Sequence, residues 1–161
     1  DMIQKLQDED ALPTQLYLST NAADYESFMR INKPRYDDSW ERWNKTLNML
    51  KDLKTRTVLR ITLIRDYNDQ KESIPAFAEM FRKASPHFIE IKSYMHIGRS
   101  TNRLEHENML EMDEIKKFSE QIAKQSKIFS IMDESIISRI SILQNNERFI
   151  DRMIPSYVNT N

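Results

Sequence analysis

The sequence predicts an α/β fold: three parallel strands with helices on one side, making half of a (βα) barrel, followed by a smaller α+β extension. Three observations lead there. Residues 15–21, 55–65 and 88–98 each alternate apolar and polar side chains, the period of a half-buried strand. Residues 24–31, 39–53 and 74–84 lie beside them and read as helices, the last two spacing large apolar side chains by three and four. The connections are short, and strand–helix–strand repeats with short connections build right-handed βαβ units and a parallel sheet.

Taken in order, residues 1–10 read as the end of a surface helix, broken by Leu12-Pro13. The first strand puts Leu16, Leu18 and Thr20 on one face and Gln15, Tyr17, Ser19 and Asn21 on the other. Asp24 is placed to cap a short helix that Lys33-Pro34 closes. Asp38 or Ser39 caps the next, whose Trp40, Trp43, Leu47 and Leu50 mark a core-facing stripe. The second strand turns Leu59, Ile61 and Leu63 one way and Val58, Arg60, Thr62 and Ile64 the other, then opens into Tyr67-Asn68-Asp69. A helix over 74–84 packs Phe77, Met80 and Phe81. The third strand, 88–98, sets Ile89, Ile91, Ser93 and Met95 against Glu90, Lys92, Tyr94 and His96, and ends at Gly98. That glycine, the single one in the chain, marks a positive φ or a close approach. Beyond it, a helix is expected over 111–125 with Ile115, Phe118 and Ile122 inward. Ile128–Met132 and Ile137–Leu143 follow as an antiparallel hairpin turning at Asp133-Glu134-Ser135. Residues 145–161 are expected to add a last helical turn, with the final five loose.

The strand faces carry a further implication. Helices can cover the apolar side of each strand, yet the other side bears Tyr17, Ser19, Arg60, Thr62, Glu90, Lys92 and His96. A closed barrel usually fills its centre with Val, Ile and Leu. A polar face suits a ligand, and three strands cannot close a barrel, so partner strands are missing. In such a sheet the strand ends and the loops after them build the site, here at Asn21, Asn68–Asp69 and Gly98–Arg99.

Composition excludes several classes. The chain has 24 basic and 25 acidic residues, so no global field draws it to DNA or to a membrane, although a local basic patch is allowed. It has no cysteine, which removes disulfides, thiolate catalysis and a cysteine-held cluster from this chain. No apolar run is long enough to span a bilayer, and a cytoplasmic protein is expected. His87 and His106 are too scattered for a metal site and read as surface residues, so no metal ligands are assigned. Aspartate at position 1 hints at a fragment.

Several runs together carry a resemblance: Leu12-Pro13-Thr14-Gln15-Leu16-Tyr17-Leu18-Ser19, Thr55-Arg56-Thr57-Val58-Leu59-Arg60-Ile61-Thr62-Leu63, Tyr67-Asn68-Asp69, and the stretch from Phe88 through Lys92, Tyr94, Met95 and His96 to Gly98. With Arg103-Leu104, Glu107-Asn108-Met109, Asp133-Glu134-Ser135 and Ser138-Arg139, they resemble the C-terminal half of the tRNA 4-demethylwyosine synthases. These are radical S-adenosylmethionine enzymes of wybutosine biosynthesis. The resemblance implies a barrel half over residues 1–98 and a wyosine-specific extension over 99–161. It implies an enzyme, a lyase, that joins a two-carbon unit from pyruvate to N1-methylguanosine beside the anticodon of phenylalanine tRNA. The cofactors implied are S-adenosylmethionine and a 4Fe–4S cluster held by a CxxxCxxC motif in the other half, which this chain lacks; alone it is expected to be inactive. The partners implied are tRNA and that N-terminal half, in cis or in trans. Thr20-Asn21 stands where the family often has an apolar residue and Asp, and Phe149 where Trp is common.

By that resemblance Ser19, Asn21, Arg60, Asn68 and Lys92 are the cofactor-binding candidates, Arg99 and Arg103 the tRNA-binding ones. Each has a plain alternative. Lys92 and Arg60 can be ion-pair partners of Glu90; Ser19, Asn21 and Asn68 suit strand-ending turns; both loop arginines can be solvated. His96 is the one catalytic candidate, since an imidazole can move protons near neutral pH. Two other classes fit the same residues: a tRNA-binding module without catalysis, and a structural half-barrel that docks on an N-terminal partner.

Overall fold

A computed structural model describes residues 2–154. Its regular elements in chain order are α1 (Met2–Asp8), β1 (Gln15–Ser19), α2 (Tyr25–Asn32), α3 (Ser39–Met49), β2 (Arg56–Leu63), α4 (Ile74–Ala84), β3 (Phe88–Ser93), α5 (Met112–Ser126), β4 (Phe129–Ser135) and β5 (Ile140–Asn145). The strands form one mixed sheet in the order β1-β2-β3-β5-β4. The three expected strands pair in parallel, Leu18 opposite Leu59 and Ile61 opposite Ile91. The hairpin β4–β5 joins the same sheet through antiparallel pairing of β5 with β3.

Alternation decides which face is the core. Leu59, Ile61, Leu63, Ile89 and Ile91 are wholly shielded and pack with Phe77 and Phe81 of α4 and Ile115 and Ile122 of α5. Burying each such side chain stabilises the fold by roughly 1.5–3 kcal/mol. Helix ends follow the sequence: Asp24 accepts a hydrogen bond from the Ser27 amide at 2.8 Å and so caps α2. Asp38 precedes α3 but spends its carboxylate on Arg42 at 2.8 Å. Trp43 packs against the core, and Trp40 meets Phe28 edge-on at 5.2 Å.

Three expectations are corrected. The third strand stops at Ser93, not at Gly98. Leu63, opposite Ser93, is the last residue of β2, and β5 begins at Ile140 opposite Lys92, so the chain past Ser93 has no strand on either side. Tyr94 is buried, its amide bonded to the Leu63 carbonyl at 2.8 Å, while Met95 and Ile97 are exposed, and Tyr94 and His96 lie past the strand end rather than on it. Gly98 does have a positive φ of 62°, and a Cβ there would meet nothing within 4 Å, so the glycine serves backbone conformation rather than close approach. The hairpin turns at residues 136–139 instead of at Asp133-Glu134-Ser135. A register shift between Ile131 and Asp133 carries β4 three residues further, and Arg139 at φ 49° makes the turn, leaving Ile136 and Ile137 exposed at its tip. Residues 146–154 contain no helical turn. They cross the strand-start end of the sheet, held by Arg56, which donates to the carbonyls of Arg152 at 2.6 Å, Met153 at 3.1 Å and Asp151. The expectation for the last five residues lies outside the described ones.

His87 is not a plain surface residue. Its Nδ1 accepts from the Thr57 amide at 3.1 Å, and its pKa is lowered to about 4, by burial first and then by Arg148 and Arg56. The folded chain thus keeps it neutral where the unfolded chain takes up a proton near 6.5. Its share of stability is complete above about pH 6.5 and declines as pH falls toward about 4. Urea unfolding at a series of pH values should show a shallower loss over that window in His87→Asn, which keeps an acceptor near Nδ1 but does not titrate. Equal slopes in the two proteins would assign the acid sensitivity to other groups.

Candidate functional site

The sheet face away from the helices is layered by register. Ser19, Arg60, Glu90 and Ile142 are successive Cα partners in one row. Thr62, Lys92 and Ile140 form the next row toward the strand ends, and Tyr17, Val58, Phe88 and Gln144 the row before. In the middle row Arg60 grips Glu90 with Nε at 2.7 Å and Nη2 at 3.3 Å, and its guanidinium lies 4.6 Å from the centre of the Tyr17 ring. The bond to Glu90 raises the Arg60 pKa against the effect of burial. The Tyr17 hydroxyl is also raised, by burial and then by the Glu90 charge. Glu90 is only 6% exposed, so its carboxylate needs this fork.

Lys92 makes no hydrogen bond or ion pair among the described residues, Glu90 being committed to Arg60. The residue is half-buried and has no counter-charge beside it, on a face with no helix of the core over it. Ser19 is exposed one row below. These two carry groups still available to a ligand.

Asn21 and Asn68 hold the strand ends together. Asn68, buried, accepts from the Ile64 amide at 2.7 Å and donates to the carbonyls of Asn21 at 2.9 Å and Thr62 at 3.0 Å. Asn21 accepts in turn from the Thr62 amide at 3.0 Å. Beside them a cleft of about 260 Å³ opens at the C-terminal ends of the parallel strands. Asn21, Tyr67, Tyr94, Ser100 and Arg103 line it, as do Arg30 and Lys33 from the end of α2. Arg99 is exposed on the same turn as Ser100 but does not line the cleft. His96 sits in the loop after β3, its Nδ1 3.2 Å from the Tyr94 hydroxyl and its ring 6.1 Å from that of His106. No three histidine, aspartate or glutamate side chains converge as metal ligands among the described residues.

The structure thus separates the sequence candidates into two places. Ser19, Arg60 and Lys92 share the open face; Asn21 and Arg103 meet at the cleft. Arg30 and Lys33 escaped notice because Lys33-Pro34 read only as a helix stop; the density of cations in residues 30–35 was the available signal.

With the geometry in hand, the chain can be compared with known proteins. The family model for wyosine base formation matches residues 83–145, from the end of α4 to the end of β5. The S-adenosyl-L-methionine-dependent tRNA 4-demethylwyosine synthase of Methanocaldococcus jannaschii is 44% identical over 153 residues, covering 94% of this chain and 45% of that protein. The chain resembles the C-terminal half of tRNA 4-demethylwyosine synthase. The synthase of Pyrococcus abyssi is 37% identical over 147 residues, 91% of this chain and 42% of that one. A solved structure of TYW1 with a lysine–pyruvate adduct bound superposes with a TM-score of 0.78 at 43% identity, covering 89% of this chain and 44% of that one. The chain therefore spans a little under half the length of these two synthases. No helix among the described residues is long and apolar enough to cross a membrane.

The two classes of polar residue should respond differently to truncation. Asn68→Ala strands three backbone groups, one buried and two partly buried, and should cost on the order of 2–4 kcal/mol. Ser19→Ala, at an exposed hydroxyl, should change stability by less than about 0.5 kcal/mol. Chemical denaturation of both variants checks this; a near-neutral Asn68→Ala would contradict the buried network.

Proposed function

We propose that this chain is the C-terminal part of a tRNA-modifying lyase that forms 4-demethylwyosine by joining pyruvate-derived carbons to N1-methylguanosine beside the anticodon of a phenylalanine tRNA. The observation that carries the reading is identity of 44% along nearly the whole chain to a synthase of that name. In this reading residues 1–98 supply half of a radical S-adenosylmethionine barrel and 99–161 the wyosine-specific extension. The reaction takes place in the cytoplasm once the N-terminal half is present, in cis or in trans.

The residues present fit one of the implied cofactors and not the other. A 4Fe–4S cluster needs thiolates, and the chain has none, so no step through a cluster is assigned to it. S-adenosylmethionine fits the open face by chemistry: it carries a carboxylate and ribose hydroxyls, and supplies the radical equivalent for the reaction. Lys92, uncompensated, is the residue to hold the carboxylate. Ser19 can donate to a ribose hydroxyl. Arg60 orders the face, fixed by Glu90 and stacked on Tyr17, with part of its guanidinium left for a ligand. Asn21 and Asn68 support the ligand indirectly by fixing the strand ends. His96, beside Tyr94, is the group able to pass a proton at the rim, and Arg99 and Arg103 stand where tRNA phosphates arrive.

The test uses this chain joined to its cluster-bearing half. Lys92→Ala should lower 4-demethylwyosine formation at least tenfold, with the tRNA dissociation constant within twofold of wild type. Product analysis of the modified tRNA and filter binding read the two quantities. Full product formation by Lys92→Ala would remove Lys92 from the site.

A further inference from the structure

Six of the twelve arginines have a carboxylate partner among the described residues: Arg42 with Asp38, Arg60 with Glu90, Arg65 with Glu114, Arg82 with Glu79, Arg139 with Glu111 and Arg152 with Asp133. Two of the other six, Arg30 and Arg103, lie at the strand-end cleft. Three cations line it, Arg30, Lys33 and Arg103, and no aspartate or glutamate does, in a chain with 25 acidic residues. None of the three takes part in an ion pair among the described residues.

Their placement is built rather than incidental. Arg30 donates to the Tyr67 carbonyl at 2.7 Å and lies 6.0 Å from the centre of the Tyr67 ring, which seats its guanidinium at the cleft. Lys33 is the C-cap of α2, its amide bonded to the Met29 carbonyl at 3.2 Å, and Pro34 stops the helix there. Arg103 ends the turn that begins at Gly98 and is held by its amide to the Ser100 carbonyl at 2.9 Å. Two chain segments that meet only at the strand ends thus bring positive charge to one opening. At about 260 Å³ the opening is small for a whole nucleotide and suits a phosphate with part of its sugar.

We propose that Arg30 and Lys33 at the end of α2, together with Arg103, form a clamp for one phosphodiester of an RNA strand crossing the cleft. Arg30, pre-set by Tyr67, gives direction, while Lys33 and Arg103 close on the phosphate oxygens. This rests on the reading that the parent enzyme acts on tRNA, and adds the α2 end as a wall that reading did not contain. The clamp carries no sequence information; it fixes the register of the strand so that a nearby base reaches the sheet face.

The test is tRNA binding by the chain joined to its N-terminal half, measured across a salt series with three proteins. These are wild type, Lys33→Ala/Arg103→Ala, and Lys124→Ala/Lys127→Ala at the far end of α5 as a control. Each phosphate contact on a single strand contributes about 0.7 to the slope of log affinity against log salt. The clamp engages one phosphate, so the cleft variant should flatten the slope by up to about 0.7 and weaken low-salt binding several-fold, while the control matches wild type. Lys33→Arg/Arg103→Lys, which keeps both charges, should restore most of the slope and guards against misfolding. Wild-type binding with an unchanged slope in the cleft variant overturns the clamp and leaves the tRNA reading standing. Failure of the wild type to bind tRNA overturns that reading itself. Inorganic phosphate bound at the cleft without displacing tRNA would make it a free-anion site and overturn its assignment to RNA.

Discussion

The pairing of β2 with β3 is the constraint on which the rest depends. Each strand presents an unbroken apolar face, Leu59, Ile61 and Leu63 beside Ile89 and Ile91, and every one of those side chains is wholly shielded. A slip of β3 by one residue would carry Ile89 and Ile91 to the opposite face and bring Glu90 and Lys92 under α4 and α5. The cost of burying those two charges beneath helices disfavours that register. Side-chain chemistry at the candidate site is thus a by-product of core formation: what the helices exclude is what the open face receives.

On that face, charge pairing is selective. Glu90 and Lys92 stand two apart on one strand and point the same way, so proximity alone would allow them to pair. Glu90 instead meets Arg60 across the strands, where a planar fork satisfies both carboxylate oxygens, and a single ammonium could not. The consequence is an ammonium left over. Lys92 is half-buried on the sheet face beside committed neighbours, which leaves its ammonium available to an anionic group from outside the chain.

Strand identity, parallel order and the two faces were legible because alternation is local and the core rewards it directly. Helices α2 to α5 were legible from caps and spacing, as with Asp24 and with Ile115, Phe118 and Ile122. What escaped was whatever depends on the neighbour. The end of β3 is set by where β2 and β5 stop, so Tyr94 and His96, still alternating in sequence, leave the sheet. Ile136 and Ile137 look like strand residues but form a turn, because the irregularity near Met132 moves the hairpin along. The roles of Asn21 and Asn68 were read only as turn-forming or ligand-binding; their mutual hydrogen bonding across two strand ends has no sequence signature. The paired cations of the cleft come from segments some seventy residues apart, which only the fold brings together.

The two edges of the sheet differ in a way that bears on the proposed missing half. At the β4 edge a register irregularity, the charges of Asp133 and Glu134, and the ion pairs to Arg152 and Lys116 all discourage a further strand. At the β1 edge Gln15-Leu16-Tyr17-Leu18-Ser19 has no charge, no proline and no bulge, and among the described residues it pairs only with β2. Natural sheets protect an edge that must stay free. An unprotected β1 beside a protected β4 means that extension of the sheet is favoured on one side alone, the side away from the hairpin. Strands added at β1 would lie beside the open face that carries Tyr17, Ser19, Arg60 and Lys92. The asymmetry of the edges and the polarity of the open face are both what the proposed half-barrel requires.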